Sequence, residues 1–328
     1  MRSTAWIIGC LVLLVFGGCH HKKTAAELKN AADSLARMPD PGARLIALDK
    51  LIADQPNDAK LYMERSKTYD ELGNLDKALE NAKTAIEKDS TQTPYFFYMA
   101  DLFMKKPSVK NAVNIMDRLK LSQPKNYMAD IKIAEFYLKA GKNDESMHAI
   151  DDALKINPNI PEAYFWRGYN FREVKNQDKA IANFQKAIEL KPDYEDAYVI
   201  LGLLYEDKKD HKAEEYFTSA IRLNAKDTVA IYDLGKYYQD RDSFQKAIDN
   251  YKEILEMDPN NRNANFAIGY CLYYLKDYNN GLGYFSKVLL VNPKDAAAHD
   301  GRSLCFRGMG EIDKANKEKE IADRLSEK

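Results

Sequence analysis

The sequence predicts an all-α solenoid: about nine helical hairpins stacked in series from Ala25 to Lys328. Three observations carry this. One pattern is stated three times in a row between Pro161 and Asn261, with Pro161 to Glu195 spanning one period of 34 residues. Its clearest copy runs Tyr198, Leu201, Gly202, Tyr205, then Ala213, Phe217 and Ala220. The first group is spaced i, i+3, i+4, i+7 and the second i, i+4, i+7, each one face of a helix. The second observation is punctuation. Pro56, Pro124, Pro158, Pro192, Pro259 and Pro293 share one slot of the period, where a residue without an N–H stops a helix. The third is the recurrence of small residues. Gly168 with Ala180, and Gly202 with Ala213, occupy matching slots and are expected to face each other where the two helices cross.

Taken in order, residues 1–18 open with Met-Arg, continue through an apolar run from Ala5 to Phe16, and end on Gly17-Gly18 before Cys19. A positive end, a short apolar core and small residues before a cut define a secretory signal. Its core is shorter than the roughly 20 residues a spanning helix needs. The Phe16-Gly17-Gly18-Cys19 ending resembles a bacterial lipobox, which implies lipidation of Cys19 and attachment to the envelope. Residues 19–24 form a short basic tether, His20-His21-Lys22-Lys23, suited to acidic headgroups. Two adjacent histidines without a third ligand do not make a metal site.

Repeats then start at Ala25, Ala59, Thr93, Tyr127, Pro161, Glu195, Thr228, Arg262 and Ala296. One copy, from Glu195, is a residue short at its Lys209-Asp210-His211 turn. The first copy is degenerate, with Pro39-Asp40-Pro41-Gly42 as its turn and Leu28, Leu35, Leu48 and Leu51 on its apolar faces. In the last, Lys319 stands where Phe184 and Phe285 stand in earlier copies, so its outer face is expected to meet water. Period and pattern together resemble the tetratricopeptide repeat across nearly all of residues 25–328. That resemblance implies a right-handed solenoid whose concave groove is lined by the second, fifth, ninth, twelfth and thirteenth residues of each copy. It also implies a non-enzymatic interaction scaffold.

In those slots lie Phe165, Tyr169, Val199, Leu203, Glu206, Asp207, Tyr232, Phe266, Tyr270, Tyr273 and Tyr274, the candidate partner-binding residues. A merely solvated face would be charged at the fifth slot, which instead reads Met63, Phe97, Ile131, Phe165, Val199, Tyr232 and Phe266. From Pro161 to Asn261 the groove slots also hold Glu162, Glu173, Asp196, Glu206, Asp207 and Asp240 against only Arg172 and Lys236. The expected partner is therefore a protein or peptide segment, basic with apolar anchors. The ninth slot contains no asparagine, so capture of a C-terminal carboxylate by the lysine–asparagine clamp of chaperone-binding relatives is not expected. Exposed Tyr and Phe could alternatively stack on sugars, which leaves a glycan- or small-ligand-binding lipoprotein as the second reading.

Balanced charge, 49 basic against 50 acidic residues, argues against a nucleic-acid binder. No H-E-x-x-H, G-x-S-x-G or phosphate-loop pattern occurs, so no enzyme, metal or cofactor is expected. Cys271 and Cys305, 34 residues apart, share one repeat slot. Stacked equivalents sit roughly 8–10 Å apart, beyond disulfide reach of about 7 Å between Cα atoms. Two buried thiols are expected there. The resemblance to bacterial lipoproteins implies, from His20 standing where an aspartate would retain the protein in the inner membrane, an outer-membrane anchor facing the periplasm, with exposure at the cell surface as the alternative.

Overall fold

The computed structural model describes residues 38–327; the expected leader, Cys19, the tether and residues 25–37, where the first helix of the first copy is expected, lie outside them. Among the described residues there are seventeen helices and no strand. They are α1 (Pro41–Asp54), α2 (Ala59–Glu71), α3 (Leu75–Lys88), α4 (Thr93–Lys105), α5 (Val109–Ser122), α6 (Tyr127–Lys139), α7 (Asn143–Ile156), α8 (Pro161–Glu173) and α9 (Gln177–Leu190). There follow α10 (Glu195–Asp207), α11 (Lys212–Leu223), α12 (Thr228–Gln239), α13 (Phe244–Met257), α14 (Arg262–Tyr274), α15 (Tyr278–Val291), α16 (Ala296–Gly308) and α17 (Ile312–Ser326). The fold is an all-α solenoid of hairpins, in two compact units that divide between Phe136 and Tyr137.

Three local devices recur and explain why the chain folds at this period. Short polar residues cap the helices: Asp58 accepts from the Lys60 N–H, Asn176 from Lys179, Asp227 from Val229 and Asn261 from Ala264. The turn inside seven of the eight complete hairpins among the described residues passes through the left-handed region, at Gly73, Gly141, Lys175, Lys209, Asp242, Lys276 and Gly310. Glycine takes that conformation freely and an L side chain does not. The third device ties five of the six proline-ended second helices to the next first helix. Tyr62, Tyr164 and Tyr198 donate their hydroxyls to the carbonyls of Pro56, Pro158 and Pro192 at 3.0–3.2 Å. Asn265 does the same to Pro259, and His299 Nε2 lies 3.2 Å from the Pro293 carbonyl. A polar tip in that slot thus satisfies a carbonyl left over where the helix stops.

Packing inside each hairpin differs from the expected small-on-small contact. A Cβ on Gly202 would lie 2.5 Å from the Phe217 ring, and one on Gly168 2.9 Å from Phe184. The atoms nearest Gly202 and Gly168 therefore belong to aromatic rings, where the expected facing residues were Ala213 and Ala180. Gly235 makes the same room for Tyr251, and Gly269 for Phe285. Where no ring is present the slot changes character: Ser66 donates to the Ala78 carbonyl and Ser303 to that of Ala315. In the latter hairpin Lys319 replaces the ring and turns outward, where it pairs with Asp300 and Asp323.

The short copy has lost its residue from the start of α11, which is 12 residues long against 14 in α9 and α13. The turn before it is intact: the Asp210 N–H donates to the Tyr205 carbonyl as the Asn176 N–H does to Phe171.

Candidate functional site

Within the second unit, α8, α10, α12 and α14 are successive first helices and carry the candidate residues. The fifth slot turns out to be wall more than surface. Phe165 is only 6% exposed; it stacks on Tyr194 at 4.7 Å and meets Phe184 edge-on at 5.5 Å. It is a core ring, which corrects its assignment to an open groove. In the first unit Met63 and Ile131 are buried likewise. Val199, Tyr232 and Phe266 are half-buried. Tyr232 leans on Tyr251 at 5.2 Å, and burial holds its hydroxyl above the ordinary tyrosine range. Phe266 meets Phe285 edge-on at 5.3 Å, and the Arg262 guanidinium covers it at 4.9 Å while bonding Asp295 at 2.8 Å.

Further along each first helix the side chains open out. Tyr169 is half-buried against Phe165, Trp166 and Phe184, with Arg172 4.7 Å from its ring. Leu203 is half-buried beside the same core. On α14, Tyr270 and Tyr274 share a hydrogen bond of 2.9 Å between hydroxyls, which pushes the Tyr270 hydroxyl up to about 12. Tyr274 is 48% exposed, stacks on Phe244 at 5.3 Å and meets Tyr273 edge-on at 5.4 Å. Tyr273 in turn lies 5.8 Å from Tyr278. The structure brings these five rings into one aromatic platform.

The acids of the second unit are placed differently from those of the first. Glu206 is half-buried, and its carboxyl is held above the usual range chiefly by that burial, with Lys236 and Arg241 opposing and Asp240 and Asp233 reinforcing. Asp233 is likewise raised by burial. Neither carboxylate has an ion pair or side-chain hydrogen bond, nor do Glu162, Glu173, Asp196 or the exposed Asp207. Among the described residues the one ion pair of Lys236 is with Asp240, at 3.9 Å. In the first unit the corresponding charges pair internally. Asp70 takes Lys105 at 2.7 Å and the Tyr98 hydroxyl at 2.9 Å; Lys132 bridges Asp101 and Glu135 at 3.0 Å each; Lys67 meets Glu64 at 2.8 Å.

Asp233 and Phe244 were not among the sequence-predicted residues. Asp233 occupies the sixth slot, held by Trp166, Ile200, Ala267 and Gly301 in neighbouring copies of the unit, so an acid among apolar residues was its signal. Phe244 opens a second helix, a position outside the expected groove set. Cys271 and Cys305 are free and buried, and burial pushes both thiols up, to about 12 and about 11. Among the described residues no group of His, Cys, Asp and Glu could hold a metal ion.

Comparison with known proteins bears on the repeats directly. Tetratricopeptide-repeat models match residues 168–209, 195–227 and 232–298, and the ARM-repeat model of tetratricopeptide repeat protein 21 matches 20–150. Anaphase-promoting complex subunit 3 of Schizosaccharomyces pombe is 24% identical over 57% of this chain and 28% of its own length. BBSome complex member BBS4 of Bos taurus is 22% identical over 71% of this chain and 46% of its own. The chain thus spans less than half the length of the curated relatives it matches. Among solved structures, Cut9 with Hcn1, from an APC/C hetero-tetramer, superposes with a TM-score of 0.51 at 17% identity over 85% of this chain and 56% of that one. The human IFIT1 dimer gives 0.52 at 16% identity over 87% and 68%. At these identities the likeness speaks to the fold alone. With the repeat-by-repeat contacts above, the family matches lead to one conclusion: residues 168–227 and 232–298 of this chain are tetratricopeptide repeats.

Proposed function

We propose that this protein is a non-catalytic interaction scaffold, held at the bacterial outer membrane by lipid on Cys19, facing the periplasm, and binding a basic partner segment with apolar anchors along the first-helix face of its second unit. The observation that carries the binding half is the contrast in charge pairing. First-helix acids of the first unit are satisfied internally, whereas Glu162, Glu173, Asp196, Glu206, Asp207 and Asp233 of the second have neither an ion pair nor a side-chain hydrogen bond and share their helices with half-buried rings. Unpaired acids beside rings form a surface complementary to cations with apolar neighbours. Solenoids of this kind use such extended faces for binding. Relatives described as subunits or members of the anaphase-promoting complex and the BBSome fit an assembling role. The anchoring half rests on the Gly17-Gly18-Cys19 ending and the basic tether.

Two measurements test the two halves separately. Cys19→Ala is expected to move the processed protein from the membrane to the soluble envelope fraction; unchanged membrane retention rejects the anchor. Tyr169→Ala with Tyr270→Ala is expected to weaken capture of partners from envelope extract while leaving the helical signal intact. Recovery of the same proteins by parent and double variant rejects the groove.

A further inference from the structure

The aromatic platform and the charged cluster around Lys236 lie at matched heights on neighbouring first helices. Lys236 and Tyr270 are both ninth in their copies, and Asp240 and Tyr274 both thirteenth. Adjacent packed helices are about 10 Å apart. An extended chain advances about 3.3 Å per residue, so three residues cross from one helix to the next. On α12, Asp233, Lys236 and Asp240 follow one another at helical spacing on one face; Glu206 of α10 lies within electrostatic reach of all three and of Arg241, and the one ion pair of Lys236, with Asp240, is a loose one. Glu206 and Asp233 have already lost much of their hydration without gaining a partner. A cation arriving there is favoured because part of the desolvation cost is already met within the fold. On α14 the Tyr270–Tyr274 hydrogen bond and the Phe244–Tyr274 stack fix the exposed Tyr274 ring in place. A fixed ring offers a face for stacking at little cost in side-chain entropy.

We propose that the partner segment presents an arginine to Glu206, Asp233 and Asp240 and, three residues away along an extended stretch, a planar apolar side chain to the Tyr270–Tyr274 platform. Arginine fits better than lysine because its planar fork can address several carboxylates at once. This rests on the groove reading above and adds to it a residue type and a spacing. The partner's apolar anchor crosses α14 while its cation stays over α12, so the two subsites are read together.

The test uses the full-length chain and fluorescein-labelled Gly/Ser peptides carrying one arginine and one phenylalanine, followed by fluorescence anisotropy. With the two residues three apart, binding is expected to be about tenfold tighter than with the same residues adjacent. Glu206→Gln with Asp240→Asn should erase the advantage of arginine over citrulline and leave the contribution of phenylalanine. Tyr270→Phe with Tyr274→Ala should do the converse. Melting curves matching the parent show that each variant is folded. Equal affinity for every spacing overturns the proposal and leaves the groove reading standing. Failure of all peptides to bind, while partner capture still depends on Tyr169 and Tyr270, does the same. Retention of partners by the Tyr169→Ala, Tyr270→Ala variant overturns the groove reading itself. Displacement of the spaced peptide by an oligosaccharide and not by citrulline analogues also overturns the proposal, since it assigns the platform to sugar.

Discussion

A single atom separates tolerance from clash at the glycines of the first helices. Gly202 has no Cβ, and the Phe217 ring occupies the space one would need, at 2.5 Å. Even alanine overpacks that crossing. Gly202→Ala is expected to cost about 1–3 kcal/mol, read as a lower denaturation midpoint, and Gly202→Ala with Phe217→Leu should recover part of it. A Gly202→Ala variant as stable as the parent would show that the ring moves aside freely. The same scale governs the thiols. Burial keeps Cys271 and Cys305 protonated and out of reach. Both should stay silent toward a maleimide in the native protein and label fully after unfolding without reductant; a missing pair of labels would reveal a bridge.

Helix by helix, stability rests on a few recurring joints. The residue at the left-handed turn is one. Lys175, Lys209 and Lys276 hold it at φ of 58°, 56° and 62°, where Gly73 and Gly141 stand in other copies. Lys209→Gly should be neutral to stabilising, by up to about 1 kcal/mol, whereas Gly141→Val should destabilise by more than that; thermal melts compare them. A second joint is Asp295, which caps α16 and pairs with Arg262 of α14. The Arg262 guanidinium holds the Asp295 carboxyl below its ordinary range. A depressed carboxylate adds stability that is present above its unfolded pKa and disappears as pH falls through the folded one. The acid limb of the stability profile should therefore be shallower in Asp295→Asn, which keeps a capping oxygen and loses the charge. An identical acid limb would mean that solvent screens the pair completely.

Across the whole molecule, most of the architecture could be read from the sequence and much of the candidate site could not. Helices begin at Ala59, Thr93, Tyr127, Pro161, Glu195, Thr228, Arg262 and Ala296 because period, proline slot and capping residues all act locally. The burial of Phe165 depends on Tyr194 stacking over it, from the turn that leads into the next first helix, which no single-helix pattern reveals. Gly202 was legible as a close approach, but its true partner lies one turn further along α11 than Ala213. The acidic cluster was half legible: Glu206 and Asp240 fall in expected slots, while Asp233 enters from a slot that usually packs. Charge pairing within the first unit was invisible to composition, since a nearly neutral chain can distribute its pairs evenly or not. Salt offers a check on that distribution. Partner binding to the second unit should weaken as ionic strength rises, and Glu206→Lys with Asp207→Lys should slow association more than it speeds release.

The residue missing from the start of α11 bears on how such a chain tolerates error. Its loss shifts the numbering of everything downstream, yet Thr228, Arg262 and Ala296 still begin their helices and the later rings still meet their glycines. The register is re-established at every hairpin by contacts between near neighbours, and a slip is absorbed where it occurs. A continuous coiled coil would carry the same deletion along its seam as a change of face. This chain works instead like text broken into words, in which one misspelling leaves the next word readable, so a single-residue loss at the start of a second helix is a tolerated route by which one repeat can diverge while its neighbours keep their shape.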